Sequence, residues 1–207
     1  MKKLLRVFLA MGLVALMASP SLAGLAVDFT GVNIDFNYGN WCLGFQFTTN
    51  GPVTVTKLGF YDDGKNGLTQ NHDVGIYNSI GNLLVSTTVL TTDPLTSWFR
   101  FHDITPYTLL GSNTYYIQGV SSGVENYTWE TTGFTVDPSI NFIKDASKSP
   151  AGGVLAFPNG SNLFTQADGG GIFGPNFDTK PVPVPPTVLM LGSGLLGLAG
   201  WRRFRKS

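Results

Sequence analysis

Cysteine is nearly missing from this chain of 207 residues, and Cys42 is the only one. No intrachain disulfide framework can form, and no zinc site can be built on cysteines. Stability must come from a buried core. Histidine is almost as scarce, with His72 and His102 the two imidazoles. Helical periodicity is missing outside the two ends. Positive charge is missing from the middle: the 13 basic residues balance 13 acidic ones, but seven of the basic ones are Lys2, Lys3, Arg6, Arg202, Arg203, Arg205 and Lys206. Without those ends, six basic residues face 13 acidic, a net charge of −7. Phosphate backbones require clustered Lys and Arg, so nucleic acid is excluded as a partner. An acidic surface suits an exported, soluble body.

What is present is concentrated first at the termini. Lys2, Lys3 and Arg6 form a charged n-region, Val7 to Met17 an apolar stretch, and Ser21-Leu22-Ala23 a small-x-small cleavage site. That is the layout of a secretory signal peptide over residues 1–23, cut between Ala23 and Gly24. A first transmembrane helix is the other reading, although the run is short and ends at Pro20. At the far end, residues 179–186 form a linker with a Pro-rich motif, Val182, Pro183, Val184, Pro185 and Pro186. Residues 187–201 follow as an apolar transmembrane helix of roughly 22 Å, marginal against a hydrocarbon core of ~30 Å. Arg202, Arg203, Arg205 and Lys206 then form a basic anchor over residues 202–207, which favours leaving that end in the cytoplasm.

This tail resembles the PEP-CTERM class of bacterial sorting signals, in a Val-Pro-x-Pro-Pro variant that lacks the usual Glu. The resemblance implies a membrane-embedded exosortase as partner and processing near the Pro motif. It implies a Gram-negative host that makes exopolysaccharide, with an inner-membrane intermediate before the cell surface or extracellular matrix. An ordinary C-terminal anchor is the alternative, since Ser193 and Gly197 also suit plain helix packing.

Between the ends, residues 24–178 amount to one domain. Turn residues recur every 8 to 12 positions with β-branched and aromatic residues between them, the pattern of an all-β antiparallel sandwich. Trp41 to Thr48 alternates Trp41, Leu43, Phe45 and Phe47 on one face. Val53 to Tyr61 changes face near Lys57. Asp73 to Tyr77 and Leu83 to Leu90 read as a hairpin about Asn78 to Asn82, with Gly81 supplying the positive φ. Trp98 to Ile104 and Thr114 to Val120, joined through Gly111-Ser112-Asn113, read as paired neighbours. The segments from Phe47-Thr48 and Val55 to Leu68 through His72 to Tyr77, Tyr115-Tyr116-Ile117 and Phe173-Gly174-Pro175-Asn176-Phe177 are similar to an uncharacterised β-rich extracellular domain family often found ahead of PEP-CTERM tails. That resemblance implies a jelly-roll or immunoglobulin-like sandwich and carries no activity.

Three constellations are candidates for chemistry. Asp62, Asn66 and Asp73 occupy oxygen-ligand positions of a calcium-loop register with Gly67 at the turn, but Gly64 stands at position 3, where a fourth oxygen is wanted. The segment is either a solvated turn or a loose, weak calcium site. His72 and His102 lack the Gly-x-Ser-x-Gly elbow of a hydrolase, so an enzyme is not expected. His102 reads as a hydrogen-bonded or solvent-facing sheet histidine and His72 as ordering the turn before Asp73. Trp98, Tyr107, Tyr127 and Trp129 sit near polar loops, where exposed rings stack on sugar faces, although core packing explains them equally well. The leading expectation is a non-enzymatic, exported envelope or matrix protein. Its rival is a secreted carbohydrate-binding module for exopolysaccharide.

Overall fold

The computed structural model describes residues 24–37, 39–149, 151–158 and 173–181. The expected signal peptide, sorting motif, transmembrane helix and basic anchor lie outside the described residues, except that cleavage would leave Gly24 as the first described one. Among the described residues no helix is long and apolar enough to cross a membrane. One compact unit spans Ala23–Pro181.

That unit is all-β and antiparallel. Its strands are β1 (Gly24–Leu25), β2 (Val27–Asp28), β3 (Gly31–Phe36), β4 (Gly39–Thr49), β5 (Val53–Tyr61), β6 (His72–Asn78), β7 (Leu83–Val89), β8 (Leu95–Thr96), β9 (Phe99–Leu109), β10 (Thr114–Ser122), β11 (Tyr127–Thr132), β12 (Thr135–Val136), β13 (Ile140–Asp145) and β14 (Pro175–Pro181). A 3₁₀ turn at Asp63–Lys65 follows β5. One five-stranded sheet runs β1-β14-β5-β9-β8 and the other β13-β4-β10-β6-β7, with small ribbons β11-β3 and β12-β2.

Period-2 alternation places the core. On β4, Leu43, Phe45 and Phe47 are fully buried, as the alternation predicts. Phe45 and Phe47 share one buried cluster with Val74, Ile76 and Ile117 of their own sheet and Val53, Val55, Leu58, Phe60, Phe99 and Phe101 of the other, whereas Leu43 packs in a smaller cluster with Tyr127. Phe177 of β14 reaches across, with ring centroids 4.9 Å from Phe47 and 6.4 Å from Phe45. The face change expected near Lys57 is a break in register between Val55 and Lys57. On that side β9 carries the surplus, Ile104 to Pro106 opposite Thr56, while on the other side β5 has one residue more than β14 between Thr54 and Leu58, which would leave β5 amides without a ladder partner. Asp178 of β14 supplies it, accepting from Thr56 N at 2.6 Å, from Lys57 N at 2.7 Å and from the Thr56 hydroxyl.

The hairpin of β6 and β7 forms as expected. Gly81 takes φ +88, and Asn78 Oδ1 accepts from Asn82 N at 2.9 Å and from Ile80 N at 3.2 Å.

One expected pairing does not occur. β9 pairs with β5 and β8, whereas β10 pairs with β4 and β6, so these consecutive strands lie in different sheets. The cause is the corner between them. Ser112 N donates to Thr49 O at 2.8 Å, Thr49 N to Asn113 O at 3.2 Å, and Thr49 Oγ1 to Leu110 O at 2.6 Å. The end of β4 thereby captures the loop and delivers the chain to its own sheet. Gly111 permits the crossing, because a Cβ there would lie 2.9 Å from the Gly51 backbone.

Truncating Phe177 to Ala is predicted to cost about 3–5 kcal/mol by loss of burial plus an unfilled cavity. Equilibrium chemical denaturation checks this, with Phe177→Leu expected to lose less than half as much. A loss under about 1 kcal/mol for Phe177→Ala would contradict the packing described.

Candidate functional site

The segment after β5 is the part of the fold richest in polar chemistry. Gly64, Lys65 and Gly67 all take positive φ, which folds residues 62–67 tightly. Asp62 is fully buried and is not the solvated turn residue the sequence suggests. Its carboxylate accepts from Gly67 N at 3.1 Å and pairs with Arg100 Nε at 2.7 Å. Arg100 also donates to Asp93 O at 2.8 Å, and Asp93 Oδ2 lies 3.0 Å from His102 Nδ1. Arg100 and His102 share a face of β9 because they are two residues apart. The chain Asp62–Arg100–Asp93–His102 therefore staples the turn, β9 and the segment before β8.

A second cluster lies beside it. Asp63 accepts from Asn126 Nδ2 at 2.6 Å, and Asp35 of β3 accepts from Tyr61 Oη at 3.1 Å. Partial burial and the like charge of Asp63 push the Asp35 carboxyl above the ordinary carboxylate range. Burial, with Asp35 second, drives the Tyr61 hydroxyl far above its usual range, so it stays a donor. Glu125, buried, accepts from Thr69 N and Thr69 Oγ1, each at 2.6 Å.

The candidate calcium ligands are thus held in separate bonds. Asp62 faces Arg100, Asn66 is exposed, and Asp73 accepts from Thr88 Oγ1 at 2.6 Å across β6 and β7. Among the described residues no group of three or more His, Cys, Asp or Glu side chains gathers to hold a metal ion. The candidate saccharide aromatics also divide. Trp98 donates from Nε1 to Phe29 O at 2.9 Å, and Lys65 Nζ stands 3.9 Å above its ring, covering the face a sugar would use. Tyr107 is half-buried against the main core. Tyr127 is buried in a smaller cluster with Leu43, and Trp129 packs on Phe36 at 5.4 Å.

A surface cleft of about 590 Å³ opens instead between Gln70, Asn71 and Asp73, Thr88 of β7, Val120 to Ser122 at the end of β10, and Gly153. Its lining mixes amide, hydroxyl and carboxylate groups with apolar surface, Val120 included, and has no aromatic wall. Single-strand patterns could not reveal it, because its walls come from four separated segments. The only local hint was the polar run Gln70-Asn71 ahead of β6.

His72 does not order the turn, as the sequence suggested, but belongs to the core beside this cleft. It is buried and stacks on Phe60 with centroids 3.8 Å apart and planes 3° from parallel. Nδ1 lies 2.8 Å from Val120 O. A carbonyl only accepts, so Nδ1 carries the hydrogen, and Nε2 is buried without a partner. Burial lowers the His72 pKa against the raising effects of the Val120 carbonyl, Glu125 and Asp73. The folded state therefore holds a neutral ring, while the unfolded chain takes up a proton below its ordinary ~6.5. Stability is predicted to fall as pH drops below about 6.5, by up to ~1.4 kcal/mol per pH unit from this residue. Thermal melts from pH 7.5 to 5.5 check it against His72→Gln, whose amide can still serve Val120 O. A constant gap between the two proteins across that range would refute the assignment.

No curated protein matches the chain. A family described as a domain of unknown function, DUF4082, matches residues 31–169. The match takes in β3 to β13 and stops short of β1 and β14, which complete one sheet, and of β2, which pairs with β12. Covering about two-thirds of the sequence, it makes this chain a member of the DUF4082 family.

Proposed function

We propose that this is an exported, non-enzymatic envelope or extracellular-matrix protein whose C-terminal tail is a sorting signal processed by an exosortase-type membrane enzyme. The observation that carries the reading is the pairing of the described strands nearest the two termini. Gly24 pairs with Thr179 in antiparallel register, so the first and last strands are neighbours and the two chain ends leave the same edge. β14 ends at Pro181, one residue before the Pro-rich motif at Val182 to Pro186. Cleavage after Ala23 and within the motif would leave every described strand whole. The same processing would leave the body at net −7.

The finer fold we propose is a jelly roll. Strand order β1-β14-β5-β9 opposite β4-β10-β6-β7 is that of its two four-stranded sheets, with β8 and β13 added at edges. An immunoglobulin-like order accounts less well for the long crossover that brings β14 between β1 and β5.

In the host, mature protein is expected to lack Arg202 to Lys206, and replacing Pro183, Pro185 and Pro186 is expected to trap a membrane-bound precursor. Peptide mapping of correctly localised protein is the check. Recovery of the peptide ending at Ser207 would reject sorting in favour of a simple anchor.

The cleft, with its amide, hydroxyl and carboxylate groups, favours a second reading, a carbohydrate-binding module for exopolysaccharide. Jelly rolls include lectin domains, and that part of the support is analogy of fold alone. Joint Asn71→Ala and Asp73→Ala substitution is expected to weaken polysaccharide binding at least tenfold by calorimetry. Unchanged affinity, or no affinity in the parent protein, would remove this reading.

A further inference from the structure

We propose that Asp137 is a built receptor for the α-amino group of a mature chain that begins at Gly24, so that removal of the leader creates an ion pair that locks the first strand in place. The proposal rests on cleavage after Ala23.

Gly24 and Leu25 lie opposite Thr179 and Asp178. Gly24 O accepts from Thr179 Oγ1 at 3.1 Å, and Ala26 N donates to Phe177 O at 2.8 Å. From the other side Asp137 N donates to Ala26 O at 3.1 Å, which ties the Asp137 backbone to the same segment. The Asp137 carboxylate divides its work. Oδ1 accepts from Ser139 N at 2.9 Å and from Ser139 Oγ, capping the turn into β13. Oδ2 stands against Gly24, where any Cβ would overlap it and would also lie 3.3 Å from Thr179 Oγ1. Glycine is the residue that lets a carboxylate oxygen approach the strand this closely. Backbone bond lengths then put the Gly24 nitrogen within about 5 Å of Oδ2.

In the uncleaved chain that nitrogen is a neutral amide. Hydrolysis of the Ala23–Gly24 bond consumes one water: Ala23 leaves with the new carboxylate, and Gly24 keeps the nitrogen as an amine. The amine takes a proton below its ordinary pKa of ~7.7–8.0 and presents three donors and a full charge to Oδ2 and Thr179 Oγ1. The other charged groups of the neighbouring strands are accounted for. Asp178 is bound by Thr56 and Lys57 amides, Asp28 by Ser97 Oγ and Phe29 N, and Lys180 is an exposed cation. An opposite charge within ~4–6 Å favours the charged amine, so its pKa rises. The stabilisation is complete below about pH 8 and is lost as pH climbs through the raised value.

The test uses the full chain exported by a secreting bacterium. N-terminal sequencing establishes where the mature protein begins, and NMR titration after reductive ¹³C-methylation reads the α-amine. The expected result is a Gly24 start and an amine pKa about one unit above the ordinary ~7.7–8.0, returning to that range in Asp137→Asn, whose Oδ1 still serves Ser139. As a second readout, one alanine inserted between Ala23 and Gly24, with the cut still after Ala23, moves the amine away. It is expected to lower Tm at pH 6.5 by about 2–4 °C in the parent and not in Asp137→Asn. A mature chain that begins elsewhere would overturn the leader assignment and this proposal with it. A Gly24 start with an ordinary amine pKa and no Asp137-dependent change in Tm would overturn the ion pair alone.

Discussion

Three consecutive residues of the last strand, Asn176, Phe177 and Asp178, hold the two ends and the two sheets of this protein together. β14 lies inside its sheet between β1 and β5, where buried polar groups must find partners or cost about 1–3 kcal/mol each. Asn176 is fully buried and meets Val27 twice, accepting from its N at 3.3 Å and donating to its O at 2.8 Å. Its amide stands in for a strand partner of the N-terminal segment. Phe177 fills the space between the sheets, and Asp178 caps the bulge of β5. Each residue has a different task, so no single replacement is neutral.

The same demand for paired polar groups shapes the other end of the fold. A buried Asp62 is tolerable because Arg100 and the Gly67 amide meet it; removing one partner of such a pair typically costs 3–5 kcal/mol. Glu125 holds the chain at Thr69, and Asn126 holds Asp63. Asp62 looks like chemistry in the sequence, and all three carboxylates act as fasteners in the fold. The cleft at Gln70, Asn71, Asp73 and Thr88 keeps its polar groups at the surface, which is why the carbohydrate-binding reading is proposed there.

The fold was legible where one face of a strand is buried. Leu43, Phe45 and Phe47 announce β4 by alternation, Gly81 announces the β6–β7 turn, and the misfit at Lys57 announces a bulge. Alternation says nothing about which strand sits beside which, so β9 and β10 read as neighbours although the Thr49 hydrogen bonds send them to different sheets. Long-range partners were likewise invisible: Asp62 precedes Arg100 by 38 residues, and Thr56 precedes Asp178 by 122. Asp178 offered no clue, since it stands among the polar residues Asn176, Thr179 and Lys180. His72 offered none, because its stacking partner Phe60 lies in the opposite sheet. The aromatic residues signalled mass without direction, and Trp98 and Tyr127 proved to be packing residues.

The central claim is that the fold is completed only by its last strand, laid between the first strand and β5. Thermal unfolding of two chains that both begin at Gly24 tests this most directly, one ending at Pro181 and the other at Ile172. The chain ending at Pro181 is expected to unfold in a single cooperative transition, and the chain ending at Ile172 to show none. A cooperative transition of similar Tm in the shorter chain would contradict the claim.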